Sequence, residues 1–251
     1  YCVDEVSDHV MALLLTWNRQ IGFYDGVAKE GRWSGVASPA PLVRLRGRKL
    51  GIAGLGRIGR AVAVKAQAFG LEVSAHAPSL PAGISPPSNV PMVDLPTLLA
   101  ESDYITLHTP LNEETRGYIG AGEFAMMKPS AFIINCARGG LVDEEALAEL
   151  LTSGHVAGAA FDVFAEEPAT TNPLFNLSNV VCTPHLGAAT TEAQENVALQ
   201  VAEQMSDYLL TGAVSNSLNM PAVTAEEAKV IGPWLKLSAH LGGFIGQMTD
   251  E

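Results

Sequence analysis

The sequence predicts an α/β protein whose mostly parallel sheet is doubly wound by helices. Three observations carry this. Short apolar runs alternate with helical stretches from about residue 49 onward. Several of these runs are continuously apolar rather than alternating, as expected of strands covered on both faces. A glycine-rich turn, GIAGLGRIGR at 51–60, joins the first run to the first helix of that alternation.

The elements follow in order. Residues 3–21 read as one long helix, with Val6, Val10, Leu13, Leu14, Trp17 and Ile21 recurring at helical spacing. A Gly- and Pro-containing stretch, 31–41, leads to the strand KLGIAG at 49–54. The helix RIGRAVAVKAQAF, 57–69, is stopped by Gly70. LEVSAH (71–76) is a strand, NVPMVDLPTLLAES (89–102) holds a short helix, and DYITLH (103–108) is a strand. GAGEFAMM at 120–127 is a helical turn and AFIINC at 131–136 a strand. Asp143 N-caps EEALAELLTS, whose acidic first turn suits the helix dipole and whose stop is Gly154. VAGAAFDV (156–163) and NVVCTP (179–184) are strands, and 190–211 is a long helix. Beyond 223 a new helical segment begins at Thr224, which forms a capping-box pattern with Glu227.

Composition narrows the function. The 251 residues are 47% hydrophobic and 17% charged, with a net charge of −12. Such an acidic chain suits neither nucleic acid nor an anionic membrane surface, and no apolar run approaches a membrane span. Cys2, Cys136 and Cys182 form no CxxC pair, which argues against zinc and against a disulfide framework. Free thiols without an export signal point to the cytoplasm. His9, His155 and His240 have no metal-like partner at i+4 and read as structural or exposed, as does His108 at a strand end. The chain begins at Tyr1, almost directly in a helix, so further sequence is expected before it.

The glycine turn has the spacing Gly54-x-Gly56-x-x-Gly59 between a strand and a helix. Gly54 permits the turn, Gly56 lets a pyrophosphate approach the backbone, and Gly59 lets the helix pack on the strand. The helix N-terminus offers N–H groups to phosphates, and Arg57 stands in that first turn. A Rossmann-type domain that binds a dinucleotide is the expectation.

Three later segments place chemistry at strand ends, where ligands bind in open α/β sheets. INCARGGLVDEEAL puts Arg138 beyond one strand, FDVFAEEP puts Asp162 and Glu167 beyond another, and CTPHLGAAT puts His185 beyond a third. Oxidising a 2-hydroxy acid needs these residue types. An Arg fork holds the carboxylate, a His takes the hydroxyl proton, and a carboxylate orients the imidazole. Arg138, His185 and Glu167 fill these roles in turn.

Together with LHTPLNEETRGYIG and MMKPSAFIINCARGGLVDEEAL, these segments closely resemble the D-isomer-specific 2-hydroxyacid dehydrogenases, from about Val3 to Asn219. The resemblance implies that Arg138, Glu167 and His185 are catalytic. It implies a cofactor site lined by Gly54, Gly56, Arg57, Ile58, Gly59, Thr109, Pro110, Cys136, Ala137, Arg138, Asp162, His185, Gly187 and Ala188, with Asp162 facing the nicotinamide carboxamide. It also implies no metal, a small 2-hydroxy or 2-oxo acid as partner, and a homodimer or homotetramer to which Trp17 and Trp33 contribute, core packing being the alternative for both.

The expected organisation is a dinucleotide-binding domain over 1–189, a helix returning to a truncated substrate domain over 190–216, and the start of a further domain over 217–251. The first part of the substrate domain would precede Tyr1, so the chain is expected to bind cofactor but turn over little substrate. The tail resembles a long-form branch of the family. A glyoxylate or hydroxypyruvate reductase and a nucleotide-sensing corepressor of the same fold remain alternatives.

One position departs from the family pattern. The stretch VSAHAPSL, 73–80, puts Ala77 where the family has a ribose-binding acid. NAD is the expected cofactor, but discrimination against NADP is weakened. Ser79 is a polar group there that could meet the ribose.

Overall fold

The computed structural model describes residues 2–78, 80, 87, 89–217, 219 and 222–247, so Ser79 lies outside the described residues. The chain divides into two compact units, up to Ala189 and from Thr190 onward.

The first unit is a six-stranded, wholly parallel sheet. Its strands are β1 (Lys49–Ala53), β2 (Glu72–His76), β3 (Tyr104–Leu107), β4 (Phe132–Asn135), β5 (Gly158–Phe161) and β6 (Val180–Cys182), in the spatial order β2-β1-β3-β4-β5-β6. The order reverses at β1, which pairs with β2 on one side and β3 on the other. That reversal opens a crevice at the carboxyl ends of β1 and β3. Outside β2 the sheet gains one further parallel bridge, Ala75 with Met92.

The continuous apolar runs follow from coverage on both faces. Alternate residues of a strand point to opposite sides, and here each side has its own core. Ile52, Phe132, Ile134 and Ala160 pack with Val10, Leu14 and Trp17 of α1 (Val3–Asn18) and Val62 and Ala66 of α3 (Arg57–Ala68). Ala53, Ile105, Ile133 and Phe161 pack on the other side with Leu98 of α4 (Leu95–Glu101), Phe124 of α5 (Ala121–Phe124) and Leu147 of α6 (Glu144–Ser153). A strand that must be apolar on both sides has no polar position to alternate with.

Helix ends match their sequence signals. Asp143 accepts from the Ala146 N–H at 3.0 Å, and Gly154 closes α6 in the left-handed conformation. Asp94 caps α4 in the same manner, accepting from Thr97 N at 2.9 Å.

One expectation is corrected, and two open readings are resolved. The helix expected over 3–21 ends at Asn18, and α2 (Ile21–Lys29) begins after a break. The break is Gln20, whose φ of 51° is left-handed and whose side chain donates to Trp17 O at 2.8 Å. This local hydrogen bond supports a conformation that a non-glycine residue adopts at a cost. Trp17 belongs to the core, 8% exposed and stacked on Phe132 with centroids 4.7 Å apart, whereas Trp33 is 92% exposed. His9, read as structural or exposed, is structural, with its Nε2 3.2 Å from Asp162 Oδ1.

The second unit contains α7 (Thr191–Thr211) and α8 (Ala225–Gly246), joined by a segment in which Val214 and Val223 form an antiparallel bridge. Thr190 caps α7 and Gly212 ends it. Thr224 and Glu227 form the capping box at the start of α8.

Candidate active site

The site is assembled from loops at the carboxyl ends of β1, β3, β4, β5 and β6. At β1 the chain turns through Gly54, with a φ of +101°. A Cβ there would lie 2.6 Å from the His108 carbonyl carbon and oxygen, so the turn nests against the end of β3. A Cβ on Gly59 would lie 2.2 Å from Gly54 O, which brings α3 onto the turn. Gly56, by contrast, faces open space. Its position as N-cap has no side-chain cap, and the first turn of α3 carries Arg57 and no acid. Unsatisfied N–H groups, the positive end of the helix dipole and a nearby cation favour an anion there.

Across the crevice, the Thr109 hydroxyl is buried with no partner among the described residues. An orphaned buried hydroxyl beside an uncapped helix start and an open glycine fits a phosphate-bearing dinucleotide. Beside it, burial pushes the His108 imidazole down to about 4, and its Nε2 lies 3.0 Å from Thr106 Oγ1.

At the tip of β2, His76 Nδ1 donates to Val93 O at 2.9 Å. The tip continues through Ala77 and Pro78, so no carboxylate stands at its first three positions.

At β4, Asn135 is fully buried and bends the following loop. Its side chain donates to Arg138 O at 2.9 Å and accepts from Ala137 N at 3.1 Å. Arg138 is thereby presented at the surface, with Nη1 donating to Ala137 O at 2.6 Å. Cys136 is buried, and burial pushes its thiol far up, which keeps it a neutral packing group rather than a nucleophile.

His185 and Glu167 meet. His185 Nδ1 lies 2.6 Å from Glu167 Oε2. Desolvation pushes Glu167 up, but the hydrogen bonds from His185 and from Phe164 N–H outweigh it and hold the carboxyl below its ordinary value. An ionised Glu167 holds the ring so that Nε2 is the nitrogen left for chemistry. The loop carrying Glu167 is braced by Glu144 of α6, which accepts from Ala165 N at 2.9 Å and Asn172 Nδ2 at 2.6 Å. The pair lines an open cavity of about 530 Å³ whose other walls include Phe164, Phe175 and Pro184. A larger cavity, about 850 Å³, lies at the opposite end of the strands, near Arg48, Asp103 and Ser130, and contains none of the proposed site residues.

Asp162, at the end of β5, is 1% exposed and turned toward the 183–187 loop. It accepts from Leu186 N at 2.7 Å and Gly187 N at 2.8 Å. Asn135, Glu144 and His9 were not singled out as site residues by the sequence. A buried amide ending an otherwise apolar strand is a usable signal for Asn135. Glu144 and His9 carry no comparable local signal.

Residues 11–187 match the family model described as the NAD-binding domain of D-isomer-specific 2-hydroxyacid dehydrogenases. The chain is 40% identical over 246 residues to a D-3-phosphoglycerate dehydrogenase of Methanocaldococcus jannaschii, covering 98% of this chain and 47% of that one. It thus spans about half the length of the curated relatives it matches. Among solved structures it superposes on a glyoxylate reductase from Paecilomyes thermophila with a TM-score of 0.79 and 33% identity, covering 87% of this chain and 66% of that one. An NAD-complexed D-isomer-specific 2-hydroxyacid dehydrogenase from Lactobacillus delbrueckii ssp. bulgaricus gives a TM-score of 0.75 at 28% identity, covering 86% and 69%. With the glycine turn, the orphaned Thr109 hydroxyl and the His185–Glu167 pair in one sheet, the chain belongs to the D-isomer-specific 2-hydroxyacid dehydrogenase family and carries its NAD-binding domain.

Proposed function

We propose that the chain is the cofactor-binding part of a D-3-phosphoglycerate dehydrogenase, oxidising D-3-phosphoglycerate to 3-phosphohydroxypyruvate in serine biosynthesis. The single observation that carries this reading is the His185–Glu167 bond at the mouth of a sheet that also holds the dinucleotide turn. The 40% identity to enzymes of that name supports the substrate choice.

Arg138 holds the substrate carboxylate through its planar fork. His185 Nε2 takes the C2 hydroxyl proton as the C2 hydrogen leaves. Glu167 remains ionised and balances the imidazolium that forms. When bound, the nicotinamide ring supplies the hydride acceptor. Gly54, Gly56, Arg57, Ile58 and Gly59 seat the pyrophosphate. Thr109, Pro110, Cys136, Ala137, Asp162, Gly187 and Ala188 surround the rest of the dinucleotide. Asp162 Oδ2 is the oxygen proposed to meet the carboxamide.

A glyoxylate or hydroxypyruvate reductase is the second reading, favoured by the structural likeness to a glyoxylate reductase. Ranking kcat/KM of the full-length chain for NADH-dependent reduction of 3-phosphohydroxypyruvate, glyoxylate and hydroxypyruvate decides between them. Equal or better turnover of glyoxylate overturns the first reading. A homodimer or homotetramer fits the exposed Trp33 and Ile21, at 92% and 52%, and a monomer in sedimentation at high concentration would count against it. Among the described residues no helix is long and apolar enough to cross a membrane. A cytoplasmic location is proposed from the three free cysteines.

A further inference from the structure

We propose that His9, on the first helix, is a positioning residue that completes a clamp on the loop carrying His185. The functional consequence rests on reading His185 as the acid/base group. The clamp itself rests on geometry.

His185 has a φ of +55°, left-handed for a residue with a Cβ. Such a conformation persists only when its surroundings enforce it. Here the enforcement converges on Asp162. The His185 N–H donates to Asp162 O at 2.8 Å, Leu186 N–H to Oδ1 at 2.7 Å, and Gly187 N–H to Oδ2 at 2.8 Å. Thr183 Oγ1 donates to Oδ1 at 2.6 Å. One carboxylate and its own carbonyl therefore hold four residues of the loop.

A carboxylate 1% exposed needs a compensating charge or donor. His9 supplies it. Its Nε2 lies 3.2 Å from Asp162 Oδ1 and 3.0 Å from Thr183 Oγ1. The Thr183 proton is committed to Asp162, so both oxygens present acceptors to His9. Nε2 must therefore carry a proton and donate. Burial pushes Asp162 up, but the bonds from His9, Thr183, Leu186 and Gly187 outweigh it and keep the carboxylate ionised. His9 sits on rigid α1, whose Val10, Leu13 and Leu14 are core residues. The helix thus anchors the clamp, and the clamp fixes the His185 backbone opposite Glu167.

The test compares His9→Leu, which removes the donor, with His9→Gln, which keeps an N–H at a similar reach. Thr183→Val serves as a second break in the same network should His9→Leu fail to fold. Amide hydrogen exchange is read at Leu186 and Gly187, with Leu50 to Ala53 of β1 as internal reference. His9→Leu and Thr183→Val should speed exchange at Leu186 and Gly187 by about tenfold or more. Exchange at β1 should stay unchanged, and His9→Gln should recover most of the protection. In NADH-dependent 2-oxo acid reduction by the full-length chain, His9→Leu should lower kcat by about tenfold. Wild-type exchange at Leu186 and Gly187 in His9→Leu, or a His9→Gln as fast as His9→Leu, overturns the clamp. The exchange result stands whether or not the wild-type chain turns over a 2-oxo acid, and loss of turnover on Glu167→Gln tests the acid/base reading separately.

Discussion

Replacing Gly139 with Ala should dislocate the His185–Glu167 pair from a distance. Gly139 follows Arg138, and an added Cβ would lie 1.8 Å from Phe164 O, 2.1 Å from Phe164 C and 2.7 Å from Ala165 N. All three are backbone atoms, so no side chain can swing aside. Ordinary contact needs at least 3.4 Å, so the two loops must part by more than an ångström. Phe164 N–H donates to Glu167 Oε1 at 2.9 Å, and Glu167 Oε2 meets His185 Nδ1 at 2.6 Å. Moving Phe164 by that distance pulls Glu167 away from the imidazole. Overpacking of this kind costs about 1–3 kcal/mol, and losing a hydrogen bond to a charged group about 1.5–3 kcal/mol. The melting temperature should fall by roughly 5–15 °C. Gly122→Ala is the control, because a Cβ there meets nothing within 4 Å and Gly122 lies in α5. It should be neutral or slightly stabilising. Thermal melts and NADH titration of both variants decide the matter. If Gly139→Ala melts and binds like the wild type, Phe164 does not press on Gly139 and Glu167 is not positioned through it.

Further expectations concern the cofactor and pH. Ala77→Asp places a carboxylate at the tip of β2, and should tighten NAD by about tenfold while weakening NADP. Unchanged affinities for both would mean that Ala77 does not face the ribose. His108 is pushed by burial from 6.5 down to about 4. The unfolded chain therefore takes up a proton at higher pH than the folded one, and stability falls as pH drops from about 6.5 to about 4. The loss from this group is at most about 3 kcal/mol, and urea unfolding of His108→Asn should show a shallower acid limb; an identical limb would refute it. Glu167 is depressed below its ordinary 4.5, so its contribution is fully present above that value and lost as pH falls through the folded one. Glu167→Gln should remove that part of the acid limb, and an unaltered limb below pH 4.5 would count against the ionised pair.

The sheet was legible because its inner strands β1, β3, β4 and β5 are buried on both faces and read as continuous apolar runs, while the edge strand β2 alternates. Capping residues such as Asp143 and Thr224 bind backbone N–H groups three residues away, so their signals are local. The break at Gln20 was not legible, since a left-handed non-glycine residue leaves no compositional mark. His9 escaped for a different reason. Its partner Thr183 is 174 positions away, and nothing near His9 announces a buried carboxylate. Glu167 and His185, only 18 positions apart and each at a strand end, could be paired from chemistry alone. Asn135 and Glu144 brace loops through backbone groups, a role that almost any buried polar residue at a strand end or helix start can adopt.

The most direct measurement is a set of nuclear Overhauser contacts in the chain with NADH bound. The nicotinamide C4 protons should contact the His185 ring, and the adenosine ribose should contact Ala77. Contacts from the nicotinamide to Arg48, Asp103 or Ser130, which line the larger cavity at the opposite end of the strands, would contradict the placement of the His185–Glu167 pair against the cofactor.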